Sequence, residues 1–450
     1  MRRVVITGTG AVSPLGLTAE ASFEGFKSAR SGVDVIRAFD ASSFPCGVAG
    51  SVPAFKAAEF VPKSYRKSTK IMARDIELAV VAADNAVRDA RLATRGILES
   101  TGGTSPDNTW YAPDPSRVGC NIGAGLICAD LNELTEAMAR AANPDNTLNL
   151  ARWGKSDNPN ESSGMDALAP LWLLKYLPNM LSCHVSIIHD TRGPSNTITC
   201  QQASAGLAMA EACRTIQRDQ ADVALVGGGE SLVHPMGLMR WTKLHLLNRH
   251  ANGDPSKACR PYDKNCAGTV IAEGAGVLVI EELEHARRRG AHIYAEIKGL
   301  SSCASGLPLG TADLAGEPLK HAALKAIADA GLKPDDISLL MPPASALPHL
   351  DQSDAMGIRS AFGRVPPLTT PRGAMGDAGA ASQAIDLVLA AQMLDRREIC
   401  PSLNSDQPLD GLSVVTHAAP AVDMRNILVL ARSLAGQHSA ILLSRYQETE

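Results

Sequence analysis

Two stretches of this chain, "ASAGLAMAEACRTI" and "GAASQAIDLVLAAQML", have helical spacing but are small or apolar on nearly every side. A helix of that kind has no face to offer water and must be covered all round. Each is opened by a turn of small residues, within "ITCQQASAG" in the first half and "GAMGDAGA" in the second. Each is also fed by a strand signal. Two buried helices of this kind predict a layered α/β fold with helices sandwiched between sheets, and the echo between them predicts a duplicated one.

The remaining elements suit that scheme. "RVVITGTGAVSPLG" reads as a buried strand running into a Gly-rich loop, and "TAEASFEGFKSARSG" as a helix with a glycine stop. "IELAVVAADNAVRDARL" is an amphipathic helix. "ADVALVGGGES" and "AGVLVIEELEHARRRGA" carry strand signals, the second continuing into a helix, and "EPLKHAALKAIADAGLKPDDISLLM" reads as helix, turn and strand. Stretches 97–117 and 142–165 lack periodicity, are rich in Pro, Gly, Asn and Ser, and read as surface insertions. The chain has 450 residues, 45% of them hydrophobic, enough for two domains or one large duplicated unit. We expect halves of 1–256 and 257–450.

Net charge is −4, which argues against a nucleic-acid partner. Ten cysteines with no CxxC pair indicate reduced thiols and a cytoplasmic setting, and argue against a disulfide frame or a zinc site. The apolar run in "MRRVVITGTG" is too short for a signal peptide, and no run approaches the ~20 apolar residues of a membrane span.

The stretch "TITCQQASAG" poses the chemical question. A strand-to-helix corner falls near Gln201 and Gln202, and free N–H groups at a helix start favour negative charge there. A thiol at such a corner would be activated. The thiol in this stretch, Cys200, stands two places too early and reads as a small buried filler. The corner itself holds amides.

Taken together, "RRVVITGTGAVSPLG", "NMLSCHVSIIHDTRGPSNT", "ADVALVGGGES", "CRPYDKNCAGTVIAEGAGVLVIEELEHARRRGAHIYAEI" and the small-residue helix after Gly376 resemble the β-ketoacyl-ACP synthases of the elongating fatty-acid type. The resemblance runs from about residue 2 to residue 444. It implies the thiolase fold, a duplicated αβαβα five-layered sandwich, with no metal and no cofactor. The family's nucleophilic Cys falls on Gln202. Its first His falls on Pro343; His349, six residues on, reads as surface or structural, and the acids Asp351 and Asp354 as braces of that loop. Its Lys and second His fall on Pro371 and Gly376, with Arg372 one place off and read as a surface residue. Its Gly-rich gate becomes "RSLAGQHS", with Leu434 at the gate and Gly436 retained.

Claisen condensation needs a thiolate, donors facing the enolate, and an oxyanion hole. Gln202 forms no thioester, and Pro343 and Gly376 present no side-chain donor, so no catalytic residues are expected. One branch of the family carries Gln at this corner within a Thr-x-x-Gln-Ala run. It is the chain-length factor, or KSβ, of type II polyketide and polyene synthases, and "TCQQA" is similar to that pattern. The implied partners are an active ketosynthase (KSα) in a heterodimer and, transiently, an acyl carrier protein. Two alternatives are a malonyl-ACP decarboxylase with Gln at the corner, a branch that keeps its histidines, and a non-catalytic homodimeric acyl-binding protein. The resemblance also places a tunnel floor at the subunit interface, lined by Leu126, Ile127, Asp130, Leu131 and Leu134. Trp172, in the apolar segment "LAPLWLLKYLPNMLSC", would be an aromatic crossing that interface; a plain core Trp is the other reading.

Overall fold

The computed structural model describes residues 1–154 and 162–448; part of the insertion expected at 142–165 lies outside the described residues. The strands that matter are β1 (Val4–Val12), β2 (Val118–Ala124), β3 (Ser195–Ile198), β4 (Val223–Ser231) and β5 (Glu273–Glu282), followed by β6 (Ala295–Ala304), β7 (Leu339–Met341), β8 (Asn426–Arg432) and β9 (Gln437–Ser444). They hydrogen-bond in the order β3-β2-β4-β5-β1-β6-β9-β8-β7.

This run is two copies of one pattern joined at β1 and β6. In the first, β5 is antiparallel to both β1 and β4, and β4, β2 and β3 are mutually parallel. In the second, β9 is antiparallel to both β6 and β8, β8 is parallel to β7, and a parallel bridge from Leu340 to Leu368 continues the edge. The join is short, from Val4 opposite Ile297 to Ile6 opposite Ala295. β5 therefore hydrogen-bonds to strands on the amino-terminal side of the division expected at 256.

Helices complete five layers. The outer helix α1 (Arg74–Asp89) packs on β1, β5 and β4. The central layer is α2 (Ser204–Gln217) with α5 (Ser382–Arg396), the two Ala-rich runs, in contact with each other and with both sheets. On the far side α3 (Glu317–Asp329) covers β6 and β9, and α4 (Pro348–Ala361) packs on α3. Every residue of α5 from Ser382 to Leu394 is buried, which is why its pattern carries no polar stripe.

Small residues set the layer spacing. A Cβ on Gly10 of β1 would lie 2.0 Å from the Ala82 carbonyl of α1, and one on Gly206 of α2 would lie 2.2 Å from Gln383 Oε1 of α5. Among the described residues no helix is long and apolar enough to cross a membrane.

Candidate functional site

The corner between β3 and α2 is tightly wound. Gln201 has a positive φ of 51°, a left-handed conformation that costs a residue other than glycine ~1–3 kcal/mol. A short turn, Gln201–Ala203, leads into α2. Ser204 Oγ fixes the bend: it accepts the Cys200 N–H at 2.7 Å and donates to the Gln201 carbonyl at 2.7 Å. The strained turn carries the next side chain, Gln202, into the interior. Cys200 is half-buried, and burial raises its thiol pKa rather than activating it.

Gln202 Nε2 donates to Asp377 Oδ2 at 2.8 Å. The other Asp377 oxygen accepts the Gly379 N–H and Ser382 Oγ, each at 2.9 Å. One buried carboxylate thus sits at the start of α5 and is tied to the residue that opens α2. Both helix starts favour negative charge. At this corner the chain places its own carboxyl group, with a glutamine amide as its donor. Gln202 Oε1 is buried and has no partner among the described residues.

The other expected positions are closed as well. Pro343 is half-buried in an irregular segment after β7, flanked by Ala344 and Ala346, both at positive φ. His349 is exposed, with Nε2 3.1 Å from the Gly310 carbonyl. Asp351 accepts Ser345 Oγ and the Tyr262 N–H, both at 2.9 Å, and Asp354 pairs with Arg432 at 3.0 and 3.1 Å. Both acids brace the loop. Gly376 has φ +81°, and a Cβ there would lie 2.8 Å from the Val270 carbonyl. Leu434 is buried in a cluster with Ala346, Leu347 and Leu350. The cavity left beside it is about 10 Å³, room for about one water at most.

One expectation is corrected. Arg372 is not on the surface: it is 2% exposed, and its Nη2 bonds Asp386 Oδ2 at 2.5 Å and the Ser382 carbonyl at 2.7 Å. Asp386 is buried within α5, where burial pushes its carboxyl up to about 6 and the Arg372 guanidinium opposes that rise.

Sequence reasoning missed Glu230, at the end of β4. It fills the space beside Gly125 and Gly379, and its Oε2 accepts the Ala380 N–H at 2.7 Å. Burial, with Asp75 and Asp377 nearby, pushes its carboxyl up to about 8 from 4.5. The folded chain therefore keeps a proton that the unfolded chain releases above about pH 4.5. Stability should fall as pH rises through the window from 4.5 to about 8, by up to ~1.4 kcal/mol per pH unit from this group. Urea unfolding of Glu230→Gln should show a flatter pH profile across that window; an unchanged slope would remove the assignment.

The expected tunnel residues separate. Leu126 and Leu131 are 61% and 42% exposed, Asp130 is exposed, Leu134 is half-buried, and Ile127 is buried in the core under α1. Asp130 and Leu131 open a surface cavity of about 500 Å³, reached also by Tyr176, Lys175, His234 and Asp75. Trp172 does not line it. Its ring packs on Tyr176 with centroids 5.2 Å apart. Tyr176, four residues on, lines the cavity instead, anchored by donating to Glu133 at 2.6 Å and accepting the Asp130 N–H at 3.2 Å. Leu171 and Leu173 are exposed beside it, and β3 is an edge strand.

Comparison with known proteins agrees with this architecture. A family model described as "Beta-ketoacyl synthase, N-terminal domain" matches residues 1–286, and one for the C-terminal domain matches residues 294–406. The chain is similar to 3-oxoacyl-[acyl-carrier-protein] synthase 2 of Staphylococcus aureus (strain COL), 26% identical over 99% of both chains. It is 29% identical to the protein of that name from Coxiella burnetii, again over 99% of both. Among solved structures, the ishigamide ketosynthase/chain length factor superposes with a TM-score of 0.81 at 23% identity, covering 99% of this chain and 100% of that one. A β-ketoacyl synthase from Burkholderia phymatum STM815 gives 0.83 at 23%, with the same coverage.

Proposed function

The chain belongs to the β-ketoacyl synthase family, and within it we propose that it is a non-catalytic chain-length factor that pairs with an active ketosynthase. In that role it helps elongate ACP-bound polyketide or polyene chains and sets their length. The observation that carries this reading is the buried Gln202, hydrogen-bonded to Asp377 at the corner onto which the sequence resemblance aligns the family's nucleophilic cysteine. The relatives named 3-oxoacyl-ACP synthase supply the family's chemistry, and the ishigamide neighbour is a ketosynthase/chain length factor by its own description. The edge strand β3, with exposed Leu126, Leu131, Leu171 and Leu173, is the surface we assign to the partner.

The experiment is co-expression with a ketosynthase that has an intact Cys-His-His set. The pair should make elongated product. This chain alone should neither take up acyl groups from acyl-ACP nor release CO2 from malonyl-ACP. CO2 release by the chain alone would favour the loading-decarboxylase reading instead.

Length control gives a further expected outcome. Packed interiors resist overfilling by ~1–3 kcal/mol, so side chains at the cavity mouth limit how many two-carbon units fit. Leu131→Ala should shift the pair's product to greater mass by at least one unit, and Leu126→Phe, on the exposed surface assigned to the partner rather than in the cavity wall, should shorten it. Product mass spectrometry reads both; unchanged masses in both variants would take these residues out of the tunnel.

A further inference from the structure

Where β8 begins and β9 ends, at the other end of β8 from Leu434, lies an open cavity of about 450 Å³. Arg3, Lys298, Arg425 and Arg445 stand around it, and its carboxylates are Glu296 and Asp336. Glu296 is already engaged: Arg3 holds both its oxygens at 2.7 Å, and Lys298 Nζ lies 3.7 Å from one of them. Asp336 accepts the Lys333 N–H at 2.7 Å. Arg425 is exposed, and its guanidinium has no partner among the described residues. Arg445 gives Nη1 to the Val422 carbonyl at 2.9 Å and keeps its other N–H groups. Ser338 Oγ accepts the Arg425 and Asn426 N–H groups at 3.1 and 3.4 Å, which leaves its own O–H to donate.

Four cations face two carboxylates, so two positive charges are unbalanced on a chain whose net charge is −4. Cations gathered round one cavity repel one another, and an anion among them removes that repulsion. The unbalanced charge matches a phosphate monoester, which carries about −2 at pH 7 and three strong acceptor oxygens. A carboxylate brings a single charge and fewer oxygens, too little for two guanidinium forks, an ammonium and a hydroxyl. The cavity is larger than a phosphate alone, and half-buried Leu332 makes part of its wall apolar. We propose that this cavity binds a small molecule through a phosphate monoester, with Arg425 and Arg445 as guanidinium donors to the phosphate, Lys298 and Ser338 completing its bonds, and Leu332 against the organic part. The site is independent of the chain-length reading.

Calorimetric titration of the purified full-length chain tests it, with phenyl phosphate as the dianionic probe and phenyl sulfate as its monoanionic isostere. Phenyl phosphate should bind at least ~tenfold more tightly than phenyl sulfate, because each added charge-assisted bond discriminates between them. Arg425→Gln removes a guanidinium that holds nothing in the fold and should weaken phenyl phosphate binding at least ~fivefold, the scale of one hydrogen bond to a charged group. Lys298→Gln should weaken it as well. Arg66→Gln removes an exposed arginine outside the cavity and should leave binding unchanged. No binding of phenyl phosphate, equal binding of the two probes, or a loss in Arg66→Gln as large as in Arg425→Gln overturns the proposal. So does unchanged binding in both Arg425→Gln and Lys298→Gln.

Discussion

Gln202→Cys should leave the chain unable to take up an acyl group: intact-protein mass after incubation with acyl-ACP should show no adduct. A thiol alone does not rebuild the site. The introduced side chain would face Asp377, whose Oδ2 now accepts the Gln202 amide, and a buried carboxylate opposes ionisation of a neighbouring thiol. No imidazole is available from Pro343 or Gly376. Histidine cannot simply be restored at 376, because the backbone stands at φ +81° and a Cβ would lie 2.8 Å from the Val270 carbonyl. Leu434, at the position where the resemblance expects the gate, is packed in a buried cluster with Ala346, Leu347 and Leu350. Each missing component of this kind costs ~100-fold or more, and a thiol alone replaces none of the others. An adduct on the introduced thiol would show that Asp377 does not suppress it. An adduct on Cys200 in the unaltered chain would overturn the assignment of the corner itself.

Sequence patterns that come from one residue's own surroundings were legible. The small, all-apolar runs of α2 and α5 predicted a doubly covered central layer, and that is where both helices lie. The corner at Gln202 followed from a turn, a short strand and a helix start. Groups whose role depends on a distant partner were not legible. Asp377 lies 175 residues from Gln202, and nothing local marks it as the carboxylate between two helix starts. Glu230 ends a glycine-rich strand, and only the fold brings Gly125 and Gly379 against it. The family resemblance puts the interface aromatic at Trp172, yet the short 3-10 turn Trp172–Tyr176 turns Tyr176 to the cavity and packs Trp172 against it.

Arg372 shows the same limit with the largest consequence for stability. Arg372→Ala should lower the unfolding free energy by ~3–5 kcal/mol, the cost of leaving one member of a buried ion pair alone. Asp386 would then be a buried carboxylate with no cation beside it among the described residues, because Arg372 Nη2 at 2.5 Å is its sole cationic partner there. The loss should shrink as pH falls, since Asp386 escapes the penalty by taking a proton, and burial already lifts its carboxyl to about 6 with the arginine present. The paired change Arg372→Met with Asp386→Leu removes both charges and keeps the volume. It should recover most of the loss, because well-packed apolar residues replace buried ion pairs at little or no cost. Urea unfolding of the three variants at two pH values separates these contributions. If Arg372→Ala cost less than ~1 kcal/mol, the pair would not be holding the turn Arg372–Met375 against α5. Gly376 and Asp377 would then owe their placement to the backbone bonds with Val270 and Ala272 and to the Asp377 side-chain bonds with Gln202, Gly379 and Ser382.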